Sequence, residues 1–176
     1  MTPFCFEHVF AAPSPAAVLA AYFDAQHLRE QDRAVDIALR EILELVDNGD
    51  TIRRVSRVVP HRQLPTFLRP FSSGPLHYLE IAVWTRTPAT NEIAIEIRPS
   101  LMGGRALIRA TYQLDTVAPN TIRRRYLGHV SVNVALVSTR VERGIVAEFE
   151  RSMPLAATCT QAWLDRHSAS SVSARA

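Results

Sequence analysis

Lysine is absent: all 20 basic residues among the 176 are arginine. That excludes a Schiff-base lysine and lysine acetylation, and with the abundance of alanine it reflects a GC-rich genome rather than a function. Cysteine is nearly absent. The two present, Cys5 and Cys159, stand near opposite ends in apolar surroundings, without metal-ligand spacing. They read as buried free thiols of a reducing compartment; a disulfide would require the first strand and the last helix to pack together. Only six glycines occur. Gly103-Gly104 has the chemistry of a turn, and no phosphate-cradling loop is present. The six histidines are dispersed, and neither His-Glu-x-x-His nor Cys-x-x-Cys occurs, so no metal or cofactor is expected. No serine sits in a nucleophile elbow. No apolar run approaches the roughly 18 residues of a membrane span. The start, Met1-Thr2-Pro3-Phe4, lacks the basic and apolar regions of a signal peptide, which makes the cytoplasm the expected location. Charge of one sign is also scarce, at a net +3. Arg123-Arg124-Arg125 is the one arginine run; on a strand its members alternate sides, and it reads as a solvated edge. With no recognition motif either, a nucleic-acid partner is not expected.

What is present is an ordinary core-forming composition, 47% hydrophobic and 21% charged. The longest patterned stretch is Thr139 to His167. Thr139 with Glu142 three residues on predicts a capping box. Val141, Ile145, Phe149, Met153, Ala156, Cys159 and Trp163 then form a one-sided apolar stripe. Such a helix reaches about 40 Å and needs a large apolar surface to lie on. Pro154 in its middle removes a backbone donor and predicts a bend.

Phe4, Phe6, His8 and Phe10 alternate with Cys5, Glu7 and Val9, a strand with one aromatic side. Ser14-Pro15 then starts a short helix ending near Phe23, and Asp24 to Ala34 a second, more polar one. Residues 35–47 fit either a helix, through Val35, Leu39, Ile42, Leu43 and Val46, or a strand interrupted by a bulge. The turn signal Asn48-Gly49-Asp50 favours the strand, because a hairpin needs one on each side. Thr51–Val59, Leu76–Thr87, Glu92–Pro99, Arg105–Thr116 and Thr121–Val134 complete seven strands, separated by turn chemistry; Pro60 to Pro75 reads as a loop. Short connections imply an antiparallel meander, so the expected class is α+β: a curved seven-stranded sheet wrapped round the long helix, with two short helices after strand 1. One domain over residues 1–167 and a flexible tail over 168–176 are expected.

The same order, with Phe6-Glu7-His8-Val9-Phe10, Ile52-Arg53-Arg54, Arg57, Pro60, Leu64-Pro65, Tyr78-x-Glu80, Trp84, Pro99-Ser100 and Val141-Glu142, resembles the START-like or SRPBCC (Bet v 1-like) superfamily. More narrowly, it looks like a bacterial family of unknown function within that superfamily. The resemblance implies a helix-grip fold with a cavity between sheet and long helix able to hold an apolar molecule. The superfamily spans lipid carriers, hormone receptors, aromatases and cyclases.

Several side chains are candidates for such a cavity. Tyr78, Glu80, Ala82 and Trp84 share one strand face. That face is either inward, making Glu80 a polar anchor, or external, with Glu80 solvated and paired to Arg54. His8, between Phe6 and Phe10, is either a ligand-bonding or acid–base group, or a core histidine bonded to a backbone carbonyl. His129 on the last strand is a weaker version of the same case. Arg54 and Arg57 point to opposite faces, so one can look inward, and Arg109 is placed to meet Glu80. The candidate ligand-binding set is His8, Arg54, Tyr78, Glu80, Trp84, Arg109 and Phe149, with no catalytic residue assigned. Three functions follow. The first is binding or transport of a hydrophobic small molecule or lipid, with transient membrane contact. The second is a cyclase- or aromatase-like enzyme with His8 or Glu80 moving protons. The third is an interaction module docking through the sheet or the Leu64–Phe71 loop, with its cavity filled.

Overall fold

The computed structural model describes residues 1–61, 74–87, 89–134 and 137–173; the side chains of residues 102 and 169–173 lie outside the description. The chain runs β1 (Thr2–Ala11), α1 (Pro15–Phe23), α2 (Ala25–Ala34), β2 (Ile37–Asp47), β3 (Thr51–Pro60), β4 (Tyr78–Thr85), β5 (Glu92–Pro99), a 3-10 turn at Met102–Gly104, β6 (Ala106–Ala118), β7 (Thr121–Val132) and α3 (Ser138–Ser173). All pairings are antiparallel, in the order β1-β7-β6-β5-β4-β3-β2. The sheet is curved, and α3 packs on β1 and β7 and against α1 and α2. This is the helix-grip, START-like architecture. The Leu64–Phe71 loop expected to serve as a docking surface falls outside the described residues.

Alternation decides which face is the core. On β5, Ile93, Ile95 and Ile97 are buried while Glu92, Ala94 and Arg98 are exposed. On β7, Ile122, Arg124, Tyr126, Val130 and Val132 are buried. Val141, Ala157, Trp163 and Leu164 of α3 meet that face. Burying each large apolar side chain removes it from water for about 1.5–3 kcal/mol, and this face collects most of them.

Local signals explain the helices. Ser14 caps α1, accepting the Ala17 N–H at 3.4 Å, with Pro15 at its first position. Asp24 ends α1 and caps α2, accepting the His27 N–H at 2.7 Å. Of residues 35–47, a turn takes 35–36 and the strand runs over Ile37–Asp47. Its register shifts between Ile37 and Leu39 and again between Ile42 and Glu44. Those bulges break the period of two and produce the helix-like spacing. Because β2 is an edge, Leu39, Ile42, Leu43, Leu45 and Val46 remain 44–58% exposed.

Three expectations need correction. The cysteines are both free, but Cys5 is exposed, because its parity puts it on the outer face of β1, and Cys159 is only half-buried. The Thr139–Glu142 capping box does not form. Glu142 is buried and turns to the sheet, accepting the Val132 N–H at 2.9 Å and the Thr2 hydroxyl at 2.8 Å, so it ties α3 to both β7 and β1. Finally, α3 continues through Ser173, past the point where a frayed tail was expected.

His27 links α2 to α3. Thr160 gives its proton to the Ala156 carbonyl, so the His27 Nε2–H donates to the Thr160 oxygen at 3.0 Å. Its ring packs edge-on against Trp163. Burial lowers the His27 pKa from the ordinary 6.5, against opposition from Asp24. A histidine with a depressed native pKa binds protons more readily in the unfolded chain. Its stabilising effect is therefore complete above pH 6.5 and is lost as pH falls below that value. Melting temperature is expected to drop from pH 7.5 to pH 5, and His27→Gln, which keeps the bond to Thr160, should flatten that dependence. An unchanged profile in the variant would refute the assignment.

Candidate ligand cavity

Strand register gathers the inward side chains into rows. Ser56 of β3 faces Glu80 of β4, which faces Ile97 of β5. Tyr112 of β6 faces Tyr126 of β7, which faces Phe6 of β1. The next inward row is Leu114, Arg124 and His8. From the opposite side α3 contributes Phe149, Ser152, Met153 and Ala156, while the end of α2 brings Gln31. Between these layers lies a cavity of about 110 Å³. All four tyrosines of the chain, Tyr22, Tyr78, Tyr112 and Tyr126, line it. Burial pushes all four phenols above their ordinary pKa of 10.0, so each stays a neutral O–H able to donate or accept a hydrogen bond.

One wall of the cavity is a buried ion network. Glu80 Oε1 accepts from Arg40 Nη1 at 2.9 Å and from Arg54 Nη2 at 3.4 Å. Arg40 also holds Asp32 through Nε at 2.9 Å, which fixes α2 to β2. Arg54 donates to the Tyr22 carbonyl at 2.9 Å and lies over the Tyr22 and Phe23 rings. Burial would raise the Glu80 pKa, but Arg40 and Arg54 outweigh it and hold the carboxyl below the usual carboxylate range. Glu80 is therefore an anchored carboxylate rather than a proton carrier at neutral pH.

The sequence-level candidates divide clearly. Tyr78, Glu80 and Phe149 line the cavity. Arg54 faces inward and stands behind Glu80, while Arg57 faces out, as their parity requires. Trp84 shares the inward face but lies off the cavity, where it stacks on Phe23 and donates Nε1–H to the Thr90 carbonyl at 3.0 Å. His8 is half-buried on the inward side of β1, next to the cavity rather than in its lining. Its partner is Arg124 instead of a backbone carbonyl, with Arg124 Nη2 to His8 Nδ1 at 2.5 Å. Arg109 does not meet Glu80. It alternates out of the core between Ile108 and Ala110 and pairs with Glu96 at 3.2 Å on the exposed face. His129, of odd parity on β7, is likewise on the outer face. The arginine run is not a solvated edge. β7 lies between β1 and β6, and Arg124 is buried while Arg123 and Arg125 share Asp115 outside.

Sequence reasoning missed Tyr22, Arg40, Tyr112, Arg124 and Tyr126. For Arg124 the signal existed, since it shares parity with Ile122 and Tyr126. A larger hollow, about 260 Å³, opens on the outer face among Arg57, Val59, Leu76 and His77, but no buried charge borders it among the described residues. Among those residues, too, no group of three or more His, Cys, Asp or Glu is placed to hold a metal, and no helix is long and apolar enough to cross a membrane.

The model of the family described as "Protein of unknown function (DUF2505)" matches residues 6–164. The chain belongs to that family. No curated protein matches it. Among solved structures, this DUF2505 member is similar to the Zhui aromatase/cyclase of Streptomyces sp. R1128, with 13% identity over 93% of each chain and a TM-score of 0.66. It is similar to a START superfamily protein of Mycobacterium smegmatis, with 11% identity, a TM-score of 0.61, and coverage of 94% of this chain and 99% of that one. Norcoclaurine synthase of Thalictrum flavum follows at 12% identity and a TM-score of 0.62, over 92% of this chain and 85% of that one. At such identities the likeness establishes the START-like fold alone.

Proposed function

We propose that this DUF2505 protein binds a small hydrophobic molecule, held between the sheet and α3. The observation that carries this reading is the convergence of all four tyrosines, with Phe149 and Met153, on one internal cavity. Apolar walls with a few placed polar tips are the usual make-up of a ligand site. The volume, about 110 Å³, is below the roughly 150 Å³ of a cavity that holds one benzene, so it suits a short aliphatic chain rather than a ring or a whole lipid. The two free thiols suit a reducing cytoplasm.

The fold likeness to an aromatase/cyclase keeps an enzymatic reading in view, but the acid–base groups argue for binding. Glu80 is neutralised by two arginines, and His8 lies outside the cavity lining. An interaction module would need no such cavity.

Native mass spectrometry of the purified protein, before and after organic extraction, tests the proposal. A small-molecule adduct that extraction removes is expected in the wild type and absent from Met153→Trp, which fills the cavity from the α3 side. An adduct retained unchanged by that variant would place the ligand elsewhere and overturn the reading.

A further inference from the structure

Charges around the cavity do not balance. Three buried guanidiniums, Arg40, Arg54 and Arg124, accompany two carboxylates, Asp32 and Glu80, and both carboxylates are taken by Arg40 and Arg54. Arg124 is only 2% exposed and lines the cavity. Its guanidinium lies 5.4 Å from the ring centroids of Phe10 and Tyr112. Its Nε–H is buried without a hydrogen-bond partner, and no carboxylate pairs with it, among the described residues. Positions 62–73, 88, 102, 135–136 and 169–176 contain no Asp or Glu. His8 does not compensate either. Arginine has only donors, so His8 Nδ1 accepts the bond and the ring is neutral. Arginine cannot shed its proton in a protein, and an unpaired buried charge is strongly unfavourable.

We infer that Arg124 is the anchor for an anionic group on the cavity's ligand, and that this ligand is a small monocarboxylic acid with a short apolar chain. The inference rests on the cavity being a binding site, as proposed above. One guanidinium without a carboxylate partner among the described residues matches one negative charge, while Glu80 in the same lining repels a more highly charged group such as phosphate. The neutral hydroxyls of Tyr112 and Tyr126, which sit opposite each other in register beside Arg124, are suited to the second carboxylate oxygen. Tyr22, Phe149 and Met153 supply apolar wall for the chain.

Butyrate and butanol share a short chain and differ in charge, which makes them suitable probes for isothermal titration into the full chain. Butyrate is expected to bind the wild type roughly tenfold or more tightly than butanol, the gain of a charge-assisted bidentate contact. Arg124→Met should abolish the difference. Equal affinities for the two probes in the wild type would overturn the anchor and leave the cavity intact as a site. Failure of both to bind would overturn the cavity reading and the anchor with it. Melting of the ligand-free proteins gives an independent readout. Arg124→Met should melt at or above the wild-type temperature, because relief of an unpaired buried charge offsets the lost His8 bond and ring contacts. A large drop would make Arg124 a structural residue and end the inference.

Discussion

Glu80→Gln is expected to lower the folding free energy by about 3 kcal/mol or more, the cost of breaking a buried ion network by removing one sign. The amide keeps the shape but not the charge, so Arg54 loses its carboxylate partner and Arg40 keeps Asp32 alone, among the described residues. Against a total stability of about 5–15 kcal/mol, that loss is a large fraction. It should appear as a lower denaturation midpoint in urea at unchanged slope. Glu96→Gln is the control. Glu96 also pairs with two arginines, Arg98 and Arg109, but these are 59% and 62% exposed, and exposed pairs contribute roughly 0–1 kcal/mol. Similar losses in the two variants would show that the Glu80 network is no more than a surface-like pair.

The second large effect belongs to Gly128. It sits in the middle of β7 opposite Ala110 of β6 and Phe4 of β1. A Cβ there would overlap the Arg109 carbonyl oxygen and come within 2.7 Å of the Ala110 Cα and 2.9 Å of its Cβ. None of these atoms is the end of a flexible side chain, so relief requires moving a central strand. Gly128→Ala is expected to cost about 3 kcal/mol, the upper end of overpacking losses. Gly49 offers the contrast. Its φ is +87, but a Cβ at that position would meet nothing within 4 Å, and Gly49→Ala should cost about 1–2 kcal/mol of left-handed strain alone. Equal melting temperatures for Gly128→Ala and wild type would contradict the close approach of β6 and β7.

These contrasts also explain what was legible in the sequence. Six of the strands announce themselves, because their inward residues obey a period of two and turn residues punctuate them. The 35–47 segment does not, because two bulges and an exposed edge release it from that period. Parity also settles Arg109 against Arg124. One step from Ile108 and Ala110, Arg109 must point out; two steps from Ile122 and Tyr126, Arg124 must point in. A run of three arginines obscures this, because consecutive charges suggest water on every side. Glu142 hides in a similar way. Its spacing from Thr139 imitates a cap, while its real partners, Val132 and Thr2, come from distant parts of the chain. The Asp32–Arg40–Glu80–Arg54 network is non-local too. The resemblance made a cavity an expectation, but its tyrosine lining brings together α1, β4, β6 and β7, which no local pattern specifies.

Methyl-detected NMR of the full chain titrated with short-chain acids and alcohols tests most directly whether the cavity holds a ligand. Ile95, Ile97 and Met153 line the cavity, whereas Leu39, Leu43 and Leu45 lie exposed on β2. Saturable shifts are expected at the methyl groups of Ile95, Ile97 and Met153, with the β2 leucines unmoved. Shifts confined to Leu39, Leu43 and Leu45, with the three cavity methyls silent, would contradict a ligand held between the sheet and α3.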